Sequence, residues 1–247
     1  MKIYAVAIQK GGTGKTITTA ALSQAAVYRG LKTLAIDLDP QGNLSFVLAA
    51  DPNRPGCYDL LHGAPAADLI QHSPQGMDVI TAGRNLSAET SAQGSARRLQ
   101  NALAPIRGQY DVIFIDTPTA AGELLYNALQ AATGVIFPLQ ADSFNLQSLY
   151  LTADLVKQMQ RSNPALQFSG IVITQNDGRS NIVKAFVNEF RGKSAAYNIP
   201  FLGIVRQAHA VIKEIIAFQQ SLYEYAPKSN PARDYLAVFD YLRMKNL

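Results

Sequence analysis

Apolar runs of four to seven residues alternate along this chain with longer stretches whose apolar positions recur at helical spacing. Ile3–Ile8, Thr33–Ile36, Val112–Ile115, Gly134–Leu139, Phe168–Thr174 and Phe201–Val205 read as strands, and Val79–Ala82 as a weaker one. The unbroken run Val112, Ile113, Phe114, Ile115 suits a strand buried on both faces. Between the strands, Thr16–Arg29, Ala88–Leu103, Leu124–Ala132, Leu146–Gln160, Asn181–Arg191, Val211–Gln220 and Asp234–Met244 read as helices. The first is Ala-rich, contains no Gly or Pro, and stops at Gly30, the residue type favoured just past a helix C-terminus. Asp51–Gly76 holds much Pro, Gly and His and reads as an irregular excursion. Strands and helices in this alternation predict βαβ units, hence an α/β fold with a mostly parallel twisted sheet and helices on both faces.

Composition narrows the picture. The 247 residues are 48% hydrophobic and 16% charged, which supplies one large core, and no linker or repeat divides them. Cys57 stands alone, so no intramolecular disulfide forms; a small apolar filler is its simplest role. No run approaches the roughly 18 apolar residues of a spanning helix, and Met1–Gln9 lacks the features of a signal peptide. A cytoplasmic protein is expected. The net charge of +4 is unevenly placed: residues 179–247 hold 10 Lys/Arg against 5 Asp/Glu. Such asymmetry points to a polyanionic partner.

Lys10, Gly11, Gly12, Thr13, Gly14, Lys15 and Thr16 join the first strand to the first helix. Glycines let backbone N–H groups curl around phosphate oxygens, and the helix N-terminus adds its partial positive charge. In such a loop Lys15 reaches the β- and γ-phosphates and the Thr16 hydroxyl binds Mg²⁺. The general pattern asks for Gly at position 9 and finds Gln9; the match is to a variant form that adds Lys10. The reading is one P-loop NTPase domain over residues 1–247, binding ATP and Mg²⁺.

Two acids follow strand ends. Asp116 closes the run from Val112 and suits a carboxylate that holds Mg²⁺; the alternative is an N-cap for the next helix. Asp39 lies two residues past Asp37, in a loop shaped by Pro40 and Gly42, at the carboxyl edge where ligands of such sheets bind. Asp37 itself reads as structural more readily than catalytic.

These motifs together resemble the ParA/MinD family of deviant Walker ATPases, and small Soj-like partition ATPases in particular. The carriers are residues 9–16, 37–43 and 110–118, with Asn127, Pro138–Gln140, Gly170–Arg179 and Tyr223–Pro227 in matching order. The resemblance implies an ATP-sandwich homodimer in which Lys10 reaches the other subunit's nucleotide. It implies that Lys10, Lys15 and Asp39 are catalytic, with Asp39 positioning water. Nucleotide contacts would come from Gly11, Gly12, Thr13, Gly14, Lys15, Thr16 and Ile17, with Thr174, Gln175 and Asn176 near the adenine. The metal would be held by Thr16, Asp39 and Asp116. Thr117–Leu125 would be a switch segment. Departures from the family pattern are Ile17 for a second Thr, Thr119 for a second Pro, Asp142 for Glu, and Val205 where Pro is frequent.

The same resemblance implies ATP-gated binding of non-specific double-stranded DNA, a ParB-like adaptor that stimulates weak hydrolysis, and a place on the nucleoid. Arg179, Lys184, Arg191, Lys193, Arg206 and Lys213 are the candidate phosphate contacts, Arg206 first among them. The chain opens on its first strand, so no operator-reading helix-turn-helix is expected. The rivals are a MinD-like membrane-cycling ATPase, a positioner of a protein cargo, and a catalytically dead scaffold. Leu236, Phe239 and Leu242 have the spacing of a core-packing terminal helix, which argues against a membrane anchor.

Overall fold

A computed structural model describes residues 1–91, 96–141, 143–176, 186, 188–189 and 197–246. Its strands are β1 (Lys2–Val6), β2 (Thr33–Asp37), β3 (Gln71–His72), β4 (Asp78–Ile80), β5 (Val112–Asp116), β6 (Gly134–Leu139), β7 (Gln167–Asn176) and β8 (Phe201–Arg206). They form one sheet in the order β3-β4-β2-β5-β1-β6-β7-β8. Every pairing is parallel except β3 with β4 at one edge. Growth of the sheet reverses direction at β1, which lies between β5 and β6. Such a switch point opens a crevice at the carboxyl ends of the strands.

Helices α1 (Lys15–Tyr28), α2 (Asn43–Val47), α3 (Cys57–Leu61), α4 (Ala66–Leu69), α5 (Arg98–Leu103), α6 (Glu123–Ala131), α7 (Ser143–Met159), α8 (His209–Phe218), α9 (Leu222–Tyr225) and α10 (Asn230–Asn246) cover both faces. The pleat divides the strand residues between two cores. Ile3, Ala5, Ile113, Ile115, Val135 and Phe137 pack with α5, α6 and α7. Tyr4, Val6, Phe114 and Ile136 pack with α1 and α10, where Phe114 stacks on Tyr4 at 5.5 Å and meets Phe239 at 6.5 Å. Helix α1 ends as the sequence predicts. The Leu31 N–H donates to the Ala26 carbonyl and the Gly30 N–H to that of Val27, with Gly30 at φ 76°. That is the glycine-terminated helix end in which a left-handed residue satisfies the last carbonyls.

Two expectations are corrected, and a third lies outside what is described. The helix read over Ala88–Leu103 is a 3₁₀ turn at Leu86–Ser91 and a short α5, with 92–95 outside the described residues. The excursion Asp51–Gly76 contains α3, α4 and β3, each too short to show a period. The helix read over Asn181–Arg191 falls almost wholly outside the described residues. The terminal helix buries Tyr235, Val238, Phe239 and Leu242 in the core. Among the described residues, no helix is long and apolar enough to cross a membrane.

Truncating Phe114, fully buried between Tyr4 and Phe239, to alanine is expected to cost about 3–5 kcal/mol. Gly30→Ala, which forces a Cβ into a left-handed φ on open surface, is expected to cost about 1 kcal/mol. Denaturant unfolding of both variants checks the order; a Phe114→Ala cost below that of Gly30→Ala would contradict the packing described.

Candidate phosphate and metal site

The loop from Gln9 to Gly14 leaves β1 at the switch point and delivers the chain into α1. Gly12 and Gly14 take left-handed φ values of 74° and 89°, which L side chains adopt only with strain. Gly14 is the N-cap of α1 and offers no side-chain acceptor, so the first-turn N–H groups face the cleft uncapped. Thr13 Oγ1 is buried and has no hydrogen-bond partner among the described residues. Bare N–H donors, a positive helix end and an unsatisfied hydroxyl are the inventory of an anion site.

From behind, the loop is held by the ends of β6 and β7. Thr174 Oγ1 donates to the Thr13 carbonyl at 2.8 Å. Gln140 Nε2 and Gln175 Nε2 both donate to the Gly12 carbonyl, at 2.8 Å and 3.3 Å. Gln175 adopts a left-handed φ of 56°. Thr174 is thus buried beneath the loop. Asn176 accepts from the Gln207 N–H at 2.7 Å, linking β7 to the end of β8.

The acids come together as the strand register requires. Asp37 and Asp116 are paired residues of β2 and β5, both fully buried. Asp116 accepts from Thr16 Oγ1 at 2.7 Å and from Thr19 Oγ1 at 3.3 Å. It caps no helix, since α6 starts at Glu123 behind Gly122. Asp37 accepts from the Ser45 N–H and hydroxyl, each at 2.7 Å, and from the Asp39 N–H at 3.2 Å, which fastens α2 and the Asp39 loop to the sheet. That is the structural role the sequence favoured. Asp39 is half-buried and accepts from the Gln41 N–H at 3.0 Å.

Lys15 Nζ donates to the Lys10 carbonyl at 3.2 Å and to Thr119 Oγ1 at 3.0 Å. Burial lowers the Lys15 pKa, and the fields of Asp116 and Asp39 raise it in part. Burial raises both Asp116 and Asp37 and nearby carboxylates push them further up, while hydrogen-bond donors pull both down and the charge of Lys15 lowers Asp116. Gly12, Thr13, Gly14, Lys15, Thr16, Ile17, Asp39, Gln41, Asn43, Thr119 and Gln175 line one cleft of about 390 Å³. Its hydroxyl and carboxylate oxygens are the hard donors that Mg²⁺ takes, and Mg²⁺ commonly shares such donors with phosphate. Among the described residues, no three carboxylate, imidazole or thiolate groups form a metal cage by themselves.

The basic candidates fare differently. Arg206 is bound by Asp234: its Nε and Nη2 donate at 2.9 Å and 2.7 Å, and its N–H donates to the same carboxylate. Lys213 is exposed on α8. Arg179, Lys184, Arg191 and Lys193 lie outside the described residues. Sequence reasoning missed Thr119 as a partner of Lys15, and it quoted Gln140 without giving it a role. Gln140 had a signal: it follows a buried strand's carboxyl end, beside the loop.

A family model described as an AAA domain matches residues 1–168. The chromosome partitioning protein ParA of Myxococcus xanthus is 33% identical, covering 96% of this chain and 86% of its own. The sporulation initiation inhibitor protein Soj of Bacillus subtilis is 34% identical, covering 95% of both. Among solved structures, cobyrinic acid a,c-diamide synthase from Mycobacterium smegmatis with bound ADP and magnesium aligns at a TM-score of 0.83 and 28% identity, over 97% of this chain and 93% of that one. The cell division ATPase MinD of Pyrococcus furiosus aligns at 0.81 and 23% identity over 99% of each chain, a likeness of fold.

The raised carboxylates give a pH dependence. A carboxyl whose folded pKa lies above its unfolded value stabilises the fold when protonated, and that contribution disappears as pH rises through the folded pKa. Without nucleotide or metal, stability is expected to fall between roughly pH 4 and about 8, where Asp116 titrates. Thermal unfolding at pH 5.5 and 8.5 checks this; Asp116→Asn should flatten the difference, and a wild type more stable at 8.5 would contradict it.

Proposed function

The chain belongs to the ParA/Soj family of partitioning ATPases, and from that premise we propose that it is an ATP-switched DNA-positioning protein. In this reading the cleft at the switch point takes the phosphates of ATP. The observation that carries it is the convergence of Lys15, the uncapped end of α1 and the Thr16–Asp116 pair on one cleft. Gly11, Gly12, Thr13, Gly14, Lys15, Thr16 and Ile17 bind phosphate through backbone and side-chain donors. Mg²⁺ would be held by Thr16, Asp116 and Asp39, and when bound it neutralises charge on the phosphate oxygens. Asp39 orients the water that attacks the terminal phosphate, since it lies at the cleft's rim on a loop fixed by Asp37. Lys10 completes the site across a homodimer, adding a second cation where charge develops in phosphoryl transfer.

ATP-bound dimers bind duplex DNA without sequence preference, and adaptor-stimulated hydrolysis releases them. The basic excess of residues 179–247 supports this surface. Arg206 contributes less than its charge implies, because Asp234 neutralises it in place. The membrane-cycling reading has less support, since Tyr235, Val238, Phe239 and Leu242 of α10 are spent on the core.

Lys15→Ala is expected to lose ATP binding, measured by titration calorimetry; unchanged affinity would remove the phosphate assignment. Asp39→Ala is expected to keep binding but slow turnover roughly 100-fold or more, as loss of a water-positioning or general-base group does. Binding of random-sequence duplex, followed by fluorescence anisotropy at two salt concentrations, is expected only with ATP and to weaken steeply with salt. Equal binding in all nucleotide states would contradict ATP gating.

A further inference from the structure

The ammonium of Lys15 has three protons to donate, and two acceptors hold it in this structure. The two differ in kind. The Lys10 carbonyl belongs to the phosphate loop and moves with it. Thr119 belongs to the segment between β5 and α6. That segment is anchored at one end, where Thr117 Oγ1 donates to the Val6 carbonyl at 2.8 Å. At the other end Gly122 begins α6. Between these anchors Thr119, Ala120 and Ala121 are exposed.

Thr119 also stands where two cavities meet. The phosphate cleft lies on one side. On the other is a cavity of about 450 Å³ lined by Pro40, Pro118, Ala120, Ala121 and Leu124 among others. Asp39, Gln41 and Thr119 line both. The Lys15–Thr119 hydrogen bond therefore forms part of the wall between them. Lys15 is only 7% exposed, so its ammonium depends on protein acceptors until a ligand arrives.

We infer that Thr119 is a positioning residue that reads the terminal phosphate: its hydroxyl holds the Lys15 ammonium until an oxygen of a nucleoside triphosphate replaces it. A phosphate oxygen carries charge and is the stronger acceptor. The third ammonium proton is available to a β-phosphate oxygen, which ADP takes without disturbing Thr119, whereas the further oxygen of a triphosphate needs the proton that Thr119 holds, so ATP displaces Thr119 and ADP leaves it bound. Displacement frees Pro118–Ala121 and reshapes the second cavity. The inference rests on the assignment of the cleft to ATP and gives that site its state dependence.

Calorimetric titration of a non-hydrolysable ATP analogue and of ADP into wild type, Thr119→Val and Thr119→Ser tests it. Valine removes the competing acceptor, so the analogue should bind roughly 3- to 10-fold tighter while ADP changes by less than about 2-fold. Serine keeps the hydroxyl and should restore wild-type values. Amide hydrogen exchange over residues 119–121 should rise in wild type with the analogue but not with ADP, and should start high in Thr119→Val. Parallel changes for both nucleotides, or weaker analogue binding in Thr119→Val, would overturn the role of Thr119 alone. Wild type that binds neither nucleotide would overturn the phosphate assignment along with it.

Discussion

Asp37 and Asp116 are buried side by side on neighbouring strands, and the tolerance of that pair organises everything around it. Two buried carboxylates repel and lose hydration, so each must be compensated or protonated. Compensation arrives from different elements: Thr16 and Thr19 from α1, Ser45 from α2, and the field of Lys15 from the phosphate loop. The pair therefore ties β2, β5, α1 and α2 into one arrangement, because a shift in any of them leaves a buried acid without its donor. A group that brings positive charge to this point relieves the same repulsion. Ligand affinity and the site's own electrostatic strain are in that sense one quantity.

Much of this was legible in the sequence, for a physical reason. Buried parallel strands need continuous apolar runs, and such runs leave little room for ambiguity. β6 runs over Gly134–Leu139, and α1 stops before Gly30 as its composition demands. The glycines of the phosphate loop were equally plain, because only Gly takes the φ values found at Gly12 and Gly14 without strain. Short elements were hidden. A four-residue helix such as α4 or a two-residue strand such as β3 is shorter than the period that would reveal it. Thr119 was hidden for another reason. Its position stood out only as a departure, Thr where a second Pro is common, and only the fold brings its hydroxyl across to Lys15.

Charge was legible as a count but not as an arrangement. The basic excess beyond residue 178 is real, yet its members are not equivalent. Arg206 is locked in a two-pronged pair with Asp234 and presents little net field, whereas Lys213 stands exposed on α8. Spacing in sequence could not expose the pairing, since Asp234 lies on α10, across a connection that includes two helices. A polyanion senses the field that remains after such pairing, so a list of basic residues overstates the surface available to it.

The site divides into a half gripped from behind and a half bonded mainly at its ends. Behind the phosphate loop, Thr174, Gln140 and Gln175 grip the Thr13 and Gly12 carbonyls from strands in the sheet's interior. That grip sets the cradle before any ligand arrives, so binding does not have to order it. In front, the Asp39 loop and Pro118–Ala121 are attached mainly at their ends, through Asp37 and Thr117. A rigid cradle suits recognition of phosphate as such, while segments fixed only at their ends suit a response to how many phosphates are present. Lys15 belongs to both halves, because it follows the phosphate loop and is held by Thr119 in the segment before α6. Whatever draws its ammonium away from Thr119 is felt at once in the wall of the neighbouring cavity, with no longer chain of contacts required.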